Sequence, residues 1–225
     1  MSRLICSDLH GNLLLWNKIK NYLKPEDYLW FLGDAGDRNA EGWAIIKELL
    51  AHPQITYIKG NHEDMLVKAM EDYLKFDGLR DYNWNLLVYN GGYETFEDWV
   101  KEGAKPEWLY LLRRLPHHAA ITLADGRICH LCHAGFSSDR FDFESSTVSH
   151  DLLWDRKHIE DDVEDKSCIV IHGHTPVQHL DNSSSPTPLM YDNKIDIDLG
   201  TASSKRTCLF DVDAFEAKIF DQEEN

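Results

Sequence analysis

The sequence predicts an α/β fold, and three observations carry that expectation. Short apolar runs alternate with amphipathic segments through the first sixty residues. A mainly helical, aromatic stretch follows at about 63–115, broken by Asn90-Gly91-Gly92. The remainder is a series of strand-like runs. A β-turn-α rhythm repeated at the start is the pattern of a layered α/β protein.

The elements read in order as follows. "RLICS" at 3–7 is a strand, and "NLLLWNKIKNYL" is a helix capped by Asn12, with Leu13, Trp16, Ile19 and Leu23 on one face. "DYLWFL" at 27–32 is the second strand and ends in Gly33; "AEGWAIIKELLAH" is helical; "ITYIK" at 55–59 is the third strand and ends in Gly60. After the helical stretch, "AAITLA", "RICHLC", "SCIVIH", "KIDIDL" and "RTCLFDV" are further strands. "NSSSPTP" at 182–188 reads as a loop and "DQEEN" as a solvated tail. "EDDVED" at 160–165 could attract a cation, but a solvated acidic loop is the plainer reading.

With no repeat or low-complexity linker dividing its 225 residues, the chain is expected to form one domain, 1–225, large enough to bury a core without staples. A net charge of −16 excludes a broad footprint on nucleic acid polymers or anionic membranes. No apolar run is long enough to span a bilayer, and "MSRLICSDLH" has no export pattern, so a cytoplasmic protein is expected. Five cysteines, an odd number, fit a reducing compartment.

Polar residues cluster where the strands stop. The first strand runs into Asp8-Leu9-His10-Gly11, the second into Gly33-Asp34-Ala35-Gly36-Asp37-Arg38, and the third into Gly60-Asn61-His62-Glu63. The late strand "SCIVIH" runs into Gly173-His174-Thr175-Pro176. Ligands of α/β sheets bind outside the carboxyl ends of strands, so these loops are expected to converge. Asp8, His10, Asp34, Asn61 and His174 offer oxygen and imidazole nitrogen, a donor set suited to Mn, Fe or Zn. Singly, each cluster also reads as a turn or a helix start, with Glu63 favoured by the helix dipole. Four in one order are another matter.

"CHLCH" at 129–133 matches a haem-attachment, zinc or redox pattern. On a strand, however, Cys129, Leu131 and His133 share one side while Ile128, His130 and Cys132 share the other. The thiols then point apart, and His133 remains as a ligand at a fifth strand end. His117 and His118 are expected in a surface turn, and His172 beside the metal ligands. Trp84, Tyr89 and Tyr93 read as core of the helical stretch, with an aromatic wall for a nucleobase as the alternative.

In this order "SDLHGN", "GDAGDRN", "KGNHED", "CHAGF" and "HGHTP" resemble the calcineurin-like metallophosphoesterases, and within them the small bacterial and phage phosphoprotein phosphatases of the lambda phosphatase type. "WNLLVYNGGYETF", "LLWDRKHI" and "IDIDLGTA" extend the likeness over nearly the whole chain. The resemblance implies a four-layer α/β/β/α sandwich of two mixed sheets flanked by helices. It implies a metal-dependent phosphatase with two divalent ions, foremost Mn2+, with Fe and Zn as alternatives. Asp8, His10 and Asp34 would hold one ion, and Asp34, Asn61, His133 and His174 the other. Arg38 and Arg156 would grip the phosphoryl group, and His62, oriented by Asp37, would protonate the leaving oxygen. The implied reaction is hydrolysis of phosphoserine or phosphothreonine, with phosphotyrosine as an extension, by a hydroxide held at the ions; the partner is a phosphorylated protein or small phosphoester.

Two ions and two arginines also resolve how so acidic a chain attracts an anion. The sequence departs from the family pattern at Gly36, where a bulky residue is usual, at Asn39, where glycine is usual, and at Lys59, where arginine is common. With these departures at Gly36 and Asn39 the Arg38 loop is expected to sit differently, which bears on substrate preference more than on the chemistry. Two alternatives remain at this point: a symmetrical bis(5'-nucleosyl)-tetraphosphate hydrolase using the same site, and a phosphate-binding protein without catalysis.

Overall fold

The chain forms β1 (Arg3–Cys6), α1 (Leu13–Tyr22), β2 (Tyr28–Phe31), α2 (Gly42–Ala51) and β3 (Ile55–Tyr57), then a helical run of α3 (Asn61–Lys75), α4 (Tyr82–Tyr89), α5 (Tyr93–Lys101) and α6 (Pro106–Arg113). There follow β4 (His118–Thr122), β5 (Ile128–Cys132), α7 (Ser146–Trp154), β6 (Cys168–His172), α8 (Gln178–Asp181), β7 (Leu189–Tyr191), β8 (Lys194–Asp196), α9 (Thr201–Ser204), β9 (Arg206–Asp211) and β10 (Glu216–Asp221). The computed structural model describes residues 1–135, 146–156, 167–181 and 186–223. None of its helices is long and apolar enough to cross a membrane among the described residues.

Among those residues the strands make two mixed sheets, in the orders β10-β9-β1-β2-β3 and β4-β5-β6-β8-β7. β1, β2 and β3 are parallel, with α1 and α2 as crossovers, as are β5, β6 and β8. Strand alternation then builds the layers. Leu4, Cys6, Leu29 and Phe31 face a core with Trp16, Trp43, Phe96 and Trp99 of the helices. Their neighbours Ile5 and Leu32 face the other way, packing with Ile169, Ile171 and Ile195 of the second sheet. On the outer side of that sheet Cys132 and Val170 pack against Leu152 of α7. The result is helix, sheet, sheet, helix.

Asn12 caps α1 as its sequence suggests, its side chain accepting from Leu15 N at 3.1 Å. Cys129 lies in the core between the sheets and Cys132 in the core beneath α7. All five cysteines are free and buried, and burial pushes the Cys6, Cys129 and Cys132 thiols up to about 12. The "CHLCH" cysteines are packing groups.

Several expectations are corrected. The first two residues of the expected tail are anchored rather than solvated: Asp221 belongs to β10 and pairs with Arg206, and Gln222 accepts from the Asn12 amide at 2.9 Å. Neither β7 nor β10 stands out in the sequence, because each is an edge strand that needs no buried face on both sides. Tyr89 and Tyr93 are not core: they are 88% and 46% exposed, while Trp84 does pack on the helical core. Residues 186–188 of the expected loop have no regular structure, and the acidic run 160–165 lies outside the described residues.

His118 is a strand residue whose Nε2 meets His130 Nδ1 at 2.9 Å across β4 and β5, rather than part of a surface turn. Burial and then His130 push its pKa down to about 4. An unfolded histidine titrates near 6.5, so between those values the unfolded chain binds more protons. Stability contributed here is complete above about 6.5 and is lost as pH falls towards about 4. Melting temperatures of chelated protein should therefore fall over that range, and His118→Gln should flatten the dependence; an unchanged slope would remove His118 from the account.

Candidate metal centre

Six strand ends meet at one edge of the two sheets. β1 delivers Asp8 and His10, β2 delivers Asp34, β3 delivers Asn61 and His62, β5 delivers His133, β6 delivers His174, and β8 delivers Asp198. The loops are stitched together by their backbones: Asp8 N donates to Gly33 O at 3.0 Å, His10 N to Asp34 O at 3.0 Å, and Gly173 N to His133 O at 2.8 Å. His174 N donates to Asp8 Oδ2 at 3.2 Å, and His133 Nδ1 to Leu32 O at 2.8 Å, which joins the two sheets. Asp8, His10, Asp34, Asp37, Arg38 and His174 all have positive φ, between 45° and 73°. Such backbones are disfavoured for residues other than glycine and persist where surrounding contacts over-determine them, as at functional sites. Gly60 and Gly173 allow the close approach: a Cβ on the first would overlap Asp34 and on the second Ser7 and Asp8.

Asp34 is the centre of the arrangement. Its Oδ2 lies 3.8 Å from His10 Nε2 and 3.8 Å from His62 Nε2, and its Oδ1 lies 3.4 Å from His133 Nε2. Two donor groups result, His10–Asp34–His62 and Asp34–His133–His174, each with its ligand atoms within 4.8 Å of one another. Asp34 belongs to both. Asp8 adjoins the first group, its Oδ1 buried with no hydrogen-bond partner among the described residues and 4.0 Å from His10 Nε2. Asn61 joins the second, with Oδ1 2.9 Å from His133 Nε2 and 3.1 Å from His174 Nδ1.

These donors fit cations. Burial pushes the pKa of His10, His133 and His174 down, so the rings are neutral with a lone pair to offer. Nδ1 of His133 spends its proton on Leu32 O and Nδ1 of His10 faces Gly36 O at 3.3 Å, which leaves each Nε2 lone pair turned inward. That is the outer support by which protein histidines are set for a metal. His133 Nε2 then confronts Asn61 Oδ1, acceptor against acceptor, a contact that a cation between them relieves. The carboxylates agree: burial, then Asp198 and Asp34, hold the Asp8 carboxyl far above its ordinary range. Acids buried this close together call for positive charge.

His62 is built differently. Its Nδ1 is 2.7 Å from Asp37 Oδ2. Burial lowers its pKa, but Asp34 and Asp37 outweigh burial and the net shift is upward. Arg38 Nη2 lies 3.2 Å from Nε2, where the ring's second proton would point, so in this arrangement Nε2 accepts from the guanidinium. Arg38 is exposed beside the first group; Arg156 is exposed beside the second, its Nη1 3.4 Å from Thr175 Oγ1. Every residue expected from the sequence at this site is thus brought to one place. His172 is buried under it, with Nδ1 3.1 Å from Gly173 O.

Four contributors were missed. Glu63 does more than meet a helix dipole: its carboxylate accepts from Asp34 N at 2.8 Å, Ala35 N at 3.0 Å and Gly60 N at 2.8 Å. Its place three residues after Gly60 at a helix start was the available signal. Asp198 lies buried near Asp8, and the two acids in the apolar "KIDIDL" marked it. Thr95 accepts from Asp37 N at 2.9 Å and Asn39 donates to His10 O at 2.6 Å; both are long-range contacts with no local signature. Glu63→Ala would strand three buried N–H groups at about 1–3 kcal/mol each. Urea unfolding of the chelated variant should show about 3–5 kcal/mol lost, and a loss below about 1 kcal/mol would deny Glu63 this role.

Comparison with known proteins agrees with the geometry. A curated relative, serine/threonine-protein phosphatase 2 of Escherichia coli (strain K12), is 25% identical over 220 residues, covering 92% of this chain and 91% of its own. In fold the chain is similar to a putative diadenosine tetraphosphatase, with TM-score 0.65, 14% identity and 97% and 92% of the two chains covered. It is likewise similar to a protein serine/threonine phosphatase from Saccharomyces cerevisiae, with TM-score 0.59, 13% identity and 100% and 81% covered. The family model described as calcineurin-like phosphoesterase matches residues 1–199, which include every donor named above. The chain belongs to the calcineurin-like phosphoesterases and is a metal-dependent phosphatase.

Proposed function

We propose that the protein is a dimetal phosphomonoesterase acting on phosphoserine and phosphothreonine of proteins, with phosphotyrosine as a further substrate. The observation that carries this is one carboxylate, Asp34, shared by two buried donor groups and flanked by two exposed guanidiniums. Asp8, His10 and Asp34 would hold one ion; Asp34, Asn61, His133 and His174 would hold the other. Mn2+ is the proposed metal, and Fe and Zn suit the same nitrogen and oxygen ligands. When bound, two divalent ions supply a hydroxide near neutral pH and oppose the charge of the phosphoryl group.

The chain's own residues account for the rest. Arg38 and Arg156 face a phosphoryl group from two sides with planar, bidentate donors. As Arg38 turns to the anion it leaves His62 Nε2, which is then free to carry the proton that Asp34 and Asp37 favour. His62 donates that proton to the departing alkoxide oxygen, and the Asp37 bond holds the ring for the transfer. No candidate group is missing or replaced, which argues against a purely phosphate-binding role. The likeness along 92% of the chain to a bacterial serine/threonine phosphatase supports the substrate class. The whole chain would act as one catalytic domain, and five unpaired buried cysteines suit a cytoplasmic setting.

The exposure of Tyr89 and Tyr93 favours a second reading. Gly91, between them, accepts from Arg38 N at 2.8 Å, so aromatic rings lie in sequence on both sides of a contact to the phosphate grip. A nucleobase could stack there, as hydrolysis of a bis(5'-nucleosyl)-tetraphosphate requires. Parallel assays with Mn2+ on phosphoserine, phosphothreonine and phosphotyrosine peptides and on diadenosine tetraphosphate separate the two. Turnover of peptides supports the phosphoprotein reading; cleavage of the dinucleotide with inert peptides replaces it.

A further inference from the structure

His10 occupies an unfavourable left-handed backbone, with φ 45° followed by Gly11 at 70°. Beside the Gly11 N bond to Ala35 O at 2.8 Å, three contacts of His10 itself with the loop after β2 hold it there. Its N donates to Asp34 O at 3.0 Å, its ring Nδ1 faces Gly36 O at 3.3 Å, and its carbonyl accepts from Asn39 Nδ2 at 2.6 Å. The first two partners are main-chain groups that any sequence supplies. The third is a side chain. We propose that Asn39 is a positioning residue whose amide clasps the His10 carbonyl and thereby keeps the His10 ring aimed at Asp34, tightening the ion that His10 would hold. This rests on the reading of His10 as a metal ligand.

The clasp is itself anchored. Asn39 N donates to Asp37 O at 2.8 Å, and Arg38 N before it donates to Gly91 O at 2.8 Å. The two loops touch, since a Cβ on Gly11 would overlap the Asn39 carbonyl. Asn39 is partly buried, so its amide bond competes with water less than a surface bond does. For a residue other than glycine the left-handed region lies about 1–2 kcal/mol above its alternatives, so a lost clasp lets His10 relax and swings its ring away. Glycine, which the family pattern carries here, has no group to make this bond. An aspartate is the same size but has only acceptors to set against a carbonyl.

Wild type, Asn39→Gly, Asn39→Asp and His10→Ala, each chelated and then titrated calorimetrically with Mn2+, test the proposal, with melting of the chelated proteins as the folding control. The expected result is two ions in the wild type. Both Asn39 variants should weaken one of them about tenfold, the one His10→Ala also weakens, and leave the other unchanged. At saturating Mn2+ their KM for p-nitrophenyl phosphate should stay within about twofold of wild type, because Gly91 still holds the Arg38 backbone. Wild-type Mn2+ affinity in both Asn39 variants, with an ion weakened in His10→Ala, would overturn the clasp alone. Equal weakening of both ions with a lower melting temperature would also overturn it, making Asn39 a support of the fold. Two ions bound unchanged by His10→Ala would overturn the reading of His10 as a ligand, and the clasp with it.

Discussion

Asp34→Asn will leave a folded protein that binds divalent ions weakly and hydrolyses phosphomonoesters about a thousandfold more slowly, the loss of several kcal/mol that shared metal ligation supplies. The fold should survive because asparagine tolerates the left-handed backbone that Asp34 adopts at φ 58°. Its side-chain oxygen can also still accept from His62 N, now 3.1 Å from Asp34 Oδ1. What the amide cannot do is present a full negative charge to both donor groups at once. The net shift of the buried Asp34 carboxyl is downward, so the group keeps its charge at working pH. Metal content by mass spectrometry and kcat on a phosphoserine peptide check the expectation; activity within about tenfold of wild type would show that the two groups do not share a ligand.

His62→Asn should reveal its role through the leaving group. A general acid contributes about 10²–10⁴-fold where the departing oxygen needs a proton. Serine alkoxide needs one, whereas p-nitrophenolate leaves as a stable anion. The variant should therefore lose about a hundredfold or more in kcat on the peptide and under about tenfold on p-nitrophenyl phosphate. Asp37→Asn should follow the same pattern more weakly, since the Nδ1 bond at 2.7 Å orients the ring and favours its protonated form. Geometry offers one competitor: His62 Nε2 also lies within reach of the His10–Asp34 group and could serve as a ligand there. Equal losses on both substrates, accompanied by weaker Mn2+ binding, would move His62 to that role.

Much of this site is local in sequence because its chemistry sits at strand ends. A run such as "YLWFLGD" states both a strand and the point where it stops, and the acid beyond Gly33 falls at the carboxyl edge whatever the remaining fold does. The same holds for Asp8, Asn61, His133 and His174, and for the opposed faces of Cys129 and Cys132. Positions whose meaning depends on distant packing were harder. Tyr89 and Tyr93 have the composition of core residues, yet Leu87 and Phe96 fill the core from the same helices and leave the tyrosines outside. β10 is an edge strand that pairs with β9 alone among the described residues, so its sequence carries little burial signal.

The sequence by itself therefore determined the α/β class, the strand-end placement of Asp8, His10, Asp34, Asn61, His133 and His174, and the nitrogen and oxygen chemistry they offer. Tertiary structure alone decided that Glu63 gathers three amides and that Asn39 reaches His10 across 29 positions of chain. The physical reason is range. Alternation and turn chemistry act between neighbours and leave their mark in a few residues, whereas a hydrogen bond between loops is set by how two sheets and their helices pack, which no short stretch of sequence records.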